Sequence, residues 1–318
     1  MKIFSGSSNK PLAEKVAKDL NADYSLLDIF VFPDGERRVR VIDRVVGENT
    51  VVFQSTSTPP DQNYMELFFI LDALKRSGAS NVTAVVPYLG YERQDHVFRD
   101  GEAVSLEVII ETLERVGADK FVAFDLHSIK VPELFSIPVL HLSALSLFAQ
   151  KIREIAGSSR FMVDGKSTMN DEQSTINRFV LVSPDMGGIR RIKELSESLG
   201  NIPYATIVKN RDLETGKIED SQLNGEVKGK VAVIVDDMIA TGDTTVDAAR
   251  LLLEKGAEKV FAFATHAVFT KKAHEILQNS QIEKVWVTDT IFIPEEKKFP
   301  KLEVISVSEV IAKGLGNF

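Results

Sequence analysis

The chain has 318 residues, of which 44% are hydrophobic, and this length suits two domains of ordinary size better than one core. It contains no cysteine, which excludes disulfides, thiolate metal sites and a cysteine nucleophile. Its formal net charge of −8 argues against non-specific binding to nucleic acid. Because the sequence has neither a long apolar stretch nor the apolar run of a signal peptide, we expect a soluble cytoplasmic protein with no membrane partner.

A polar turn, Phe32-Pro-Asp-Gly-Glu36, follows the first long apolar run. Proline followed by Asp-Gly is typical of a tight turn. The residues alone predict only a connection between two strands.

The segment Pro87-Tyr-Leu-Gly-Tyr-Glu-Arg-Gln-Asp95 comes directly after a predicted strand at Val82–Val86. Arg93, Gln94 and Asp95 combine a forked donor, an amide and a carboxylate, which together suit the phosphates and polar edges of a nucleotide. Each of them alone would be ordinary surface, but the three together predict contact with a nucleotide.

An ungapped repeat relates the two halves of the chain, because Val116–His127 aligns with Lys255–His266 and Gly, Ala, Lys, Ala, Phe and His coincide. Each copy follows an amphipathic helical pattern and leads into an apolar run, which predicts helix, tight turn and buried strand. A fainter copy lies at Leu74–Asn81. Such turns recur in any α/β protein, but a repeat of this length favours duplication. We therefore predict two similar α/β domains, each with a mostly parallel sheet flanked by helices.

The first repeat ends in Asp125-Leu-His127, and a histidine beside a buried strand is, taken alone, more often structural than functional. The next segment, 157–177, is rich in Ser, Asp, Asn and Gly and predicts a surface excursion without chemistry. Ser183-Pro-Asp-Met-Gly-Gly188 then predicts a crossing from strand to helix, where glycines let backbone N–H groups approach an anion. Asp185 is the candidate for chemistry there.

Two basic residues, Lys209 and Arg211, lie where the apolar run from Ala205 gives way to a charged loop that contains glycine. Basic residues after a strand are usually only solvated. A loop of this composition is also able to close over a substrate.

The most informative segment runs from the buried strand Val231–Val235 through Asp236 and Asp237 into a loop rich in hydroxyl groups that opens a helix. The carboxyl end of a parallel strand and the N-terminus of a helix together form a common anion site. Four loop residues are able to wrap a phosphate: Thr241, Gly242, Thr244 and Thr245. The two acids either accept hydrogen bonds from sugar hydroxyls or lie near a metal-bound group.

This loop resembles the phosphoribosyl-diphosphate loop shared by type I phosphoribosyltransferases and ribose-phosphate diphosphokinases. The other motifs occur in the order and spacing of the diphosphokinases: Phe32–Glu36, Gln54–Ser57, Pro87–Asp95, Asp125–His127 and Ser183–Asp185. A phosphoribosyltransferase would normally have one such domain without the Arg-Gln-Asp and Asp-Leu-His segments. The chain is therefore identified as a member of the diphosphokinase family.

The resemblance implies two type I phosphoribosyltransferase-like domains, an N-terminal one at 1–142 for ATP and a C-terminal one at 143–300 for ribose 5-phosphate. It implies that the segment 301–318 packs back on the N-terminal domain. The implied activity transfers the diphosphoryl group of ATP to the 1-hydroxyl of ribose 5-phosphate, giving phosphoribosyl diphosphate and AMP for nucleotide biosynthesis.

The resemblance also assigns residues. Catalysis falls to Lys209 and Arg211, and Mg²⁺ on the ATP phosphates to His127 and Asp185. ATP is assigned to Phe32, Asp34, Glu36, Arg93, Gln94 and Asp95. Ribose 5-phosphate is assigned to Asp236, Asp237, Ala240, Thr241, Gly242, Asp243, Thr244 and Thr245. In the family, the turn at Phe32 reaches adenine from a neighbouring subunit, which implies a homo-oligomer built from dimers.

The chain departs from the commonest family pattern at several places. Met186 stands where a histidine is usual, and Asn210 stands where an arginine is common. The segment His96–Glu102 is closer in style to the archaeal branch. Two alternatives remain at this point: a noncatalytic associated subunit, which would have lost the metal and basic residues, and a phosphoribosyltransferase.

Overall fold

The computed structural model of the chain describes residues 1–157, 175–211 and 218–318, and gives only the backbone of residues 209–211 and 218–221. These residues form two compact units. The first unit consists of Met1–Ser143, Asp289–Ile293 and Ser306–Phe318, and the second of Ala144–Thr288 and Pro294–Ile305. Within the described ranges, no helix is both long and apolar enough to cross a membrane.

The strands and helices alternate along most of the chain, as βα units predict. The strands are β1 Lys2–Ser5, β2 Asp23–Tyr24, β3 Leu27–Val31, β4 Arg37–Val41, β5 Asn49–Phe53, β6 Asn81–Val85, β7 Lys120–Phe124, β8 Val139–Leu142, β9 Phe179–Ser183, β10 Tyr204–Arg211, β11 Ile218–Asn224, β12 Val231–Ile239, β13 Lys259–Ala267, β14 Lys284–Thr288 and β15 Leu302–Ile305. The helices are α1 Lys10–Asp19, α2 Pro60–Arg76, α3 Ser105–Val116, α4 Leu145–Ala156, α5 Ile189–Ser198, α6 Asp243–Glu254, α7 Ala273–Gln278 and α8 Ser308–Asn317.

The first unit is built on a six-stranded sheet of order β2-β1-β5-β6-β7-β8, in which every pair is parallel. The central strands are buried along almost their whole length, because helices cover a parallel sheet on both faces. Side chains from α2 and α3, such as Leu67, Ile70 and Leu113, pack in the core with Phe4 and Val52.

A separate antiparallel hairpin, β3–β4, belongs to the first unit. The residues of β4 alternate between half-buried and exposed, as expected of a strand with one face toward a core. Leu27 and Ile29 pack against the core, whereas Phe30 and Val31 are exposed. The end of β3 that leads into the turn is therefore exposed.

The second unit has a seven-stranded sheet of order β11-β10-β9-β12-β13-β14-β15. All its pairs are parallel except β10–β11, which is antiparallel. Phe148, Phe179, Phe263 and Trp286 lie in its core. The predicted fold, two α/β domains with mostly parallel sheets, is confirmed.

The repeated Gly-Ala turns share one hydrogen-bond pattern. Gly78, Gly117 and Gly256 have φ of 88°, 121° and 89°, a region that favours glycine at the end of a helix. The alanines that follow, Ala79, Ala118 and Ala257, donate their N–H groups to Leu74, Leu113 and Leu252 at 3.1, 3.1 and 3.0 Å. The fainter copy at Leu74–Asn81 thus has the same local structure as the two strong copies.

The structure differs from the sequence prediction at the C-terminal segment and at the end of β12. The segment 301–318 does not stay together, because β15 belongs to the second sheet while α8 belongs to the first unit. β12 continues through the two acids to Ile239, since it pairs with β13 along that length. Of the predicted excursion 157–177, residues 158–174 lie outside the described residues.

Candidate functional site

The turn of the β3–β4 hairpin presents an aromatic ring beside two carboxylates. Phe32 donates its N–H to the carbonyl of Glu36 at 2.8 Å and accepts from the N–H of Gly35 at 2.9 Å. Asp34 Oδ1 accepts the N–H of Glu36 at 3.1 Å. Gly35 has φ of 93°, and the Phe32 ring packs edge-on against Phe30 at 5.0 Å while remaining 38% exposed. The Pro-Asp-Gly turn predicted from the sequence is confirmed, and it leaves the Phe32 ring partly exposed.

The Arg93-Gln94-Asp95 segment forms a tight turn after β6 in the first unit. The N–H of Gln94 donates to Tyr91 at 2.8 Å, and the Gln94 carbonyl accepts from Leu106 at 3.2 Å. The side chains of Arg93 and Gln94 are exposed. Asp95 is half-buried, and its Oδ1 lies 2.6 Å from His96 Nδ1. Two of the three predicted nucleotide contacts therefore face solvent.

Asp125-Leu-His127 follows the carboxyl end of β7, also in the first unit. Asp125 is buried with φ of 32°, and its Oδ1 accepts a hydrogen bond from Ser143 Oγ at 2.6 Å. His127 is exposed, and its backbone N–H donates to Glu92 Oε2 at 3.0 Å. The three residues form a turn that places a solvent-accessible imidazole at the end of a buried strand.

In the second unit, β9 crosses into α5 through Ser183-Pro-Asp-Met-Gly-Gly188. Asp185 is exposed, and its Oδ1 accepts the N–H of Gly188 at 3.1 Å. A Cβ on Gly188 would lie 2.4 Å from Ser183 Oγ, and one on Gly187 would lie 3.3 Å from Asp185 Oδ1. Both glycines therefore allow close backbone approach here, while Met186 is 55% exposed.

The two acids near the end of β12 are held by backbone donors and faced by one arginine. Asp236 Oδ1 accepts the N–H of Asp237, and Asp237 Oδ1 accepts the N–H of Met238, both at 2.9 Å. The guanidinium of Arg191, on α5, lies 3.9 Å from Asp236 Oδ1 and 3.8 Å from Asp237 Oδ2. These ion pairs are too long for direct hydrogen bonds.

The pKa of Asp236 is raised well above its usual range. The main cause is burial, followed by the charge and hydrogen bond of Asp237 and the charge of Asp185, whereas Arg191 acts in the opposite direction. The acid pair thus favours holding one proton, as neighbouring buried carboxyls generally do.

The loop 240–245 joins β12 to α6. Gly242 has φ of 87° and directly precedes the helix, and the N–H of Val246 donates to its carbonyl at 3.0 Å. Among the described residues, no side chain caps this end of α6. The first-turn N–H groups of a helix have no intrahelical partner, and the exposed Thr244 lies in this first turn. Thr245, in contrast, is 3% exposed, so its side chain packs inward.

Ala240, Thr241 and Asp243 complete the predicted sugar-phosphate loop. The carbonyl of Ala240 accepts the N–H of Thr270 at 2.9 Å, which ties the loop to the chain after β13. Thr241 is half-buried, and Asp243 is exposed at the first position of α6. The structure thus brings all eight predicted residues, Asp236 to Thr245, to one strand–helix junction.

Lys209 and Arg211 lie within β10, not after it. Their backbones pair with Ser221 and Ile218 of β11, and the register shifts between Asn210 and Arg211. Antiparallel pairing with β11 explains why the strand extends past its apolar part. The side chains of both residues, and the loop 212–217, lie outside the described residues.

Two residues of these sites were missed from the sequence. Arg191 is preceded by another arginine, Arg190, and only the structure shows that Arg191 is the one that faces the acids while Arg190 pairs with Glu194. Glu92 stands beside the predicted Arg93 but is 1% exposed. No sequence signal separates a buried glutamate from an exposed one in a polar segment.

The predicted metal ligands belong to different units, His127 to the first and Asp185 to the second. Within the described ranges, no cluster of three or more His, Asp or Glu side chains is arranged to hold a metal ion. Protein sites commonly bind Mg²⁺ through one or two carboxylates together with water and substrate phosphates. The exposed carboxylate of Asp185 suits such a site.

Comparison with known proteins places the whole chain among close relatives. Residues 1–117 match the N-terminal domain of ribose phosphate pyrophosphokinase, and residues 212–317 match the phosphoribosyl synthetase-associated domain. The ribose-phosphate pyrophosphokinase of Fusobacterium nucleatum is 37% identical over 99% of this chain and 94% of its own length. That of Aquifex aeolicus is 38% identical over the same shares. The crystal structure of phosphoribosylpyrophosphate synthetase from Mycobacterium smegmatis superposes with a TM-score of 0.88 at 34% identity, covering 99% of this chain and 97% of the other.

Proposed function

Because the chain belongs to the ribose-phosphate pyrophosphokinase family, we propose a role in one reaction for each group of residues described above. The protein is an enzyme that transfers the diphosphoryl group of ATP to the 1-hydroxyl of ribose 5-phosphate, giving phosphoribosyl diphosphate and AMP. The observation that carries this conclusion is the match to relatives of that activity along 99% of the chain. Residence in the cytoplasm stays a prediction.

Ribose 5-phosphate binds at the junction of β12 and α6. The N-terminus of α6 and the hydroxyl groups of Thr241 and Thr244 bind the 5-phosphate, because unpaired N–H groups and the helix dipole favour an anion there. Asp236 and Asp237 accept hydrogen bonds from ribose hydroxyls. Their buried, backbone-held carboxyl groups support this role, since rigid acceptors lose little freedom when they bind a sugar.

ATP binds to residues of the first unit. Arg93 and Gln94 contact its phosphates and polar edges, supported by their exposure on a tight turn. Phe32, Asp34 and Glu36 bind adenine on the open face of the hairpin turn. In this proposal the turn serves the site of a neighbouring subunit, so the working enzyme is a homo-oligomer built from dimers.

A divalent metal is typical of phosphotransferases, and we assign Mg²⁺ to His127 and Asp185. When bound, it neutralises charge that develops on the phosphate oxygens. The carboxylate of Asp185 is fixed by the N–H of Gly188 and has a free face toward solvent, as an oxygen ligand requires.

The reaction proceeds by attack of the 1-hydroxyl on the β-phosphorus of ATP, with AMP as leaving group. Lys209 and Arg211 stabilise the negative charge on the transferred and bridging oxygens, since positioned cations supply most of the acceleration in phosphoryl-type transfer. Removing one such group usually costs about 100–1,000-fold in kcat.

The test is an assay of purified protein with ATP, ribose 5-phosphate and Mg²⁺, in which nucleotides are resolved by chromatography. We expect AMP and phosphoribosyl diphosphate in equal amounts, loss of both with a chelator, and about 100-fold or greater loss of kcat in Lys209→Ala and His127→Ala. Lys228→Ala, which changes an exposed lysine outside these sites, is the control. Release of ADP would identify an ordinary kinase, and no turnover would favour a noncatalytic subunit.

A further inference from the structure

Three successive backbone N–H groups at the end of β7 are each held by a different acceptor. Asp125 donates to the carbonyl of Leu142 at 2.9 Å, Leu126 to His141 Nε2 at 3.0 Å, and His127 to Glu92 Oε2 at 3.0 Å. The first two acceptors belong to the neighbouring strand β8. The acceptor for His127 instead comes from the loop that carries the Arg93-Gln94-Asp95 segment.

The acceptor itself is buried. Glu92 is 1% exposed, and a carboxylate is rarely buried unless donors face it. Two residues earlier, Gly90 donates its N–H to Thr56 Oγ1 at 2.8 Å and accepts from Tyr64 Oη at 2.7 Å. A Cβ on Gly90 would lie 2.4 Å from the carbonyl oxygen of Thr56, so the loop is fixed against α2 and against the segment between β5 and α2, two residues before Glu92.

We propose that Glu92 is a positioning residue, whose buried carboxylate holds the backbone of His127 and couples it to the nucleotide loop. The inference rests on the proposed function, in which His127 binds the metal and the next residue in the loop, Arg93, contacts ATP. Because Glu92 directly precedes Arg93, one rigid carboxylate sets the spacing between the two. Glu92 touches neither substrate nor metal in this role.

Substitution separates the hydrogen bond from the charge. Glu92→Gln keeps a carbonyl oxygen that accepts the N–H of His127, whereas Glu92→Ala removes the acceptor. Loss of a group that orients a metal ligand typically costs about 10–100-fold in metal affinity or activity. We therefore expect Glu92→Ala to raise the Mg²⁺ concentration for half-maximal AMP formation by about 10–100-fold and Glu92→Gln by about threefold or less.

The control is Glu114→Ala, because Glu114 also accepts a backbone N–H, from Ser136 at 2.6 Å, but lies outside the candidate residues. It should leave the Mg²⁺ dependence unchanged. In addition, the double variant Glu92→Ala/His127→Ala should need no more Mg²⁺ for half-maximal AMP formation than His127→Ala alone, because Glu92 acts on the metal only through the His127 imidazole, which both variants lack. Equal Mg²⁺ dependence in Glu92→Ala and the native enzyme, or additive losses in the double variant, would overturn the proposal.

A readout in the free protein is independent of turnover. The chain has five histidines, so ¹⁵N-histidine labelling gives few amide signals, and His127→Gln assigns one of them. The His127 amide proton should resonate downfield in the native protein and should move upfield in Glu92→Ala, which removes the acceptor. It should move upfield by less in Glu92→Gln, because a neutral oxygen accepts more weakly than a carboxylate, and this smaller shift is the readout if the alanine variant fails to fold. An unmoved signal refutes the contact even if the proposed reaction is correct, whereas a moved signal in a protein that makes no AMP supports the contact and rejects the function.

Discussion

Replacing Arg191 by methionine should destabilise the second unit, because Arg191 is the cation beside the Asp236–Asp237 pair. Its side chain is 14% exposed and the facing carboxylates are 15% and 8% exposed, so solvent screens the interaction only weakly. Methionine preserves much of the aliphatic packing and removes the charge.

The size of the loss follows from these distances. Two unit charges about 4 Å apart interact by about 4 kcal/mol at an effective dielectric constant of about 20. The raised pKa of Asp236 favours its neutral form, which lowers the negative charge that the acid pair presents to the guanidinium. Removing one partner of a buried pair typically costs about 3–5 kcal/mol, but no direct hydrogen bond is lost here. We expect a loss of about 2–3 kcal/mol in the free energy of unfolding.

Urea unfolding followed by tryptophan fluorescence measures this loss. The single tryptophan, Trp286, is 4% exposed and stacks on Phe263 in the core of the second unit, so its signal reports on that unit. Arg190→Met is the matched control, since Arg190 is 63% exposed and pairs with Glu194 one turn along α5; it should change stability by about 0.5 kcal/mol or less.

Two further results test the cause. The loss of stability caused by Arg191→Met should become smaller in acid as the carboxylates become neutral. Adding Asp237→Asn to the Arg191→Met variant should recover much of the lost free energy of unfolding. Equal losses in Arg190→Met and Arg191→Met, or no recovery in the double variant, would refute the electrostatic explanation.

Three other predictions follow from the described contacts. Asp236→Asn should stabilise the second unit at pH 7, because a carboxyl whose pKa is raised in the folded state lowers stability as pH rises above its unfolded pKa of about 3.9. The gain in the free energy of unfolding should therefore vanish below about pH 4 in the Trp286 assay, and a gain that persists there would contradict this explanation. Glu66→Ala should lower the free energy of unfolding by about 3–5 kcal/mol in calorimetry, because Glu66 is 1% exposed and accepts hydrogen bonds from Ser7 and Gln54. The control Asp72→Ala, on the exposed face of α2, should have little effect, and similar losses in both variants would argue against the role of burial. Gly35→Ala should cost about 1 kcal/mol through its positive φ alone, since no atom lies within 4 Å of the added Cβ, and should raise KM for ATP more than for ribose 5-phosphate in steady-state kinetics.

The local structure of the chain was largely readable from its sequence. The Gly-Ala repeats predicted where helices end and strands begin, because Gly117 and Gly256 end a helix with a positive φ in both units. The turn at Phe32–Glu36 and the strand–helix junction at Gly242 were also predicted. In each case the signal lies in a few neighbouring residues.

What the sequence could not supply depends on contacts between distant segments. The burial of Glu92 follows from its partner His127, and the choice of Arg191 over Arg190 follows from the direction in which α5 faces β12. The extension of β10 through Lys209 comes from pairing with β11, which no apolar pattern marks. The roles assigned to the site residues stay predictions.

The path of the chain between the two units also sets the order in which they are completed during synthesis. The chain leaves the first unit after Ser143 and returns at Asp289 and again at Ser306, where α8 contributes the buried Ile311 and Val307 donates its N–H to Asp289 at 2.8 Å. From Ser143 to Phe318 a ribosome adds 318 − 143 = 175 residues, which takes about 9–35 s at about 5–20 residues per second. For that interval the nascent first unit lacks α8 while the whole second unit is being made. The half-chain 1–143 is therefore an incomplete folding unit, and dividing this enzyme there for separate expression would leave apolar surface of the first unit uncovered.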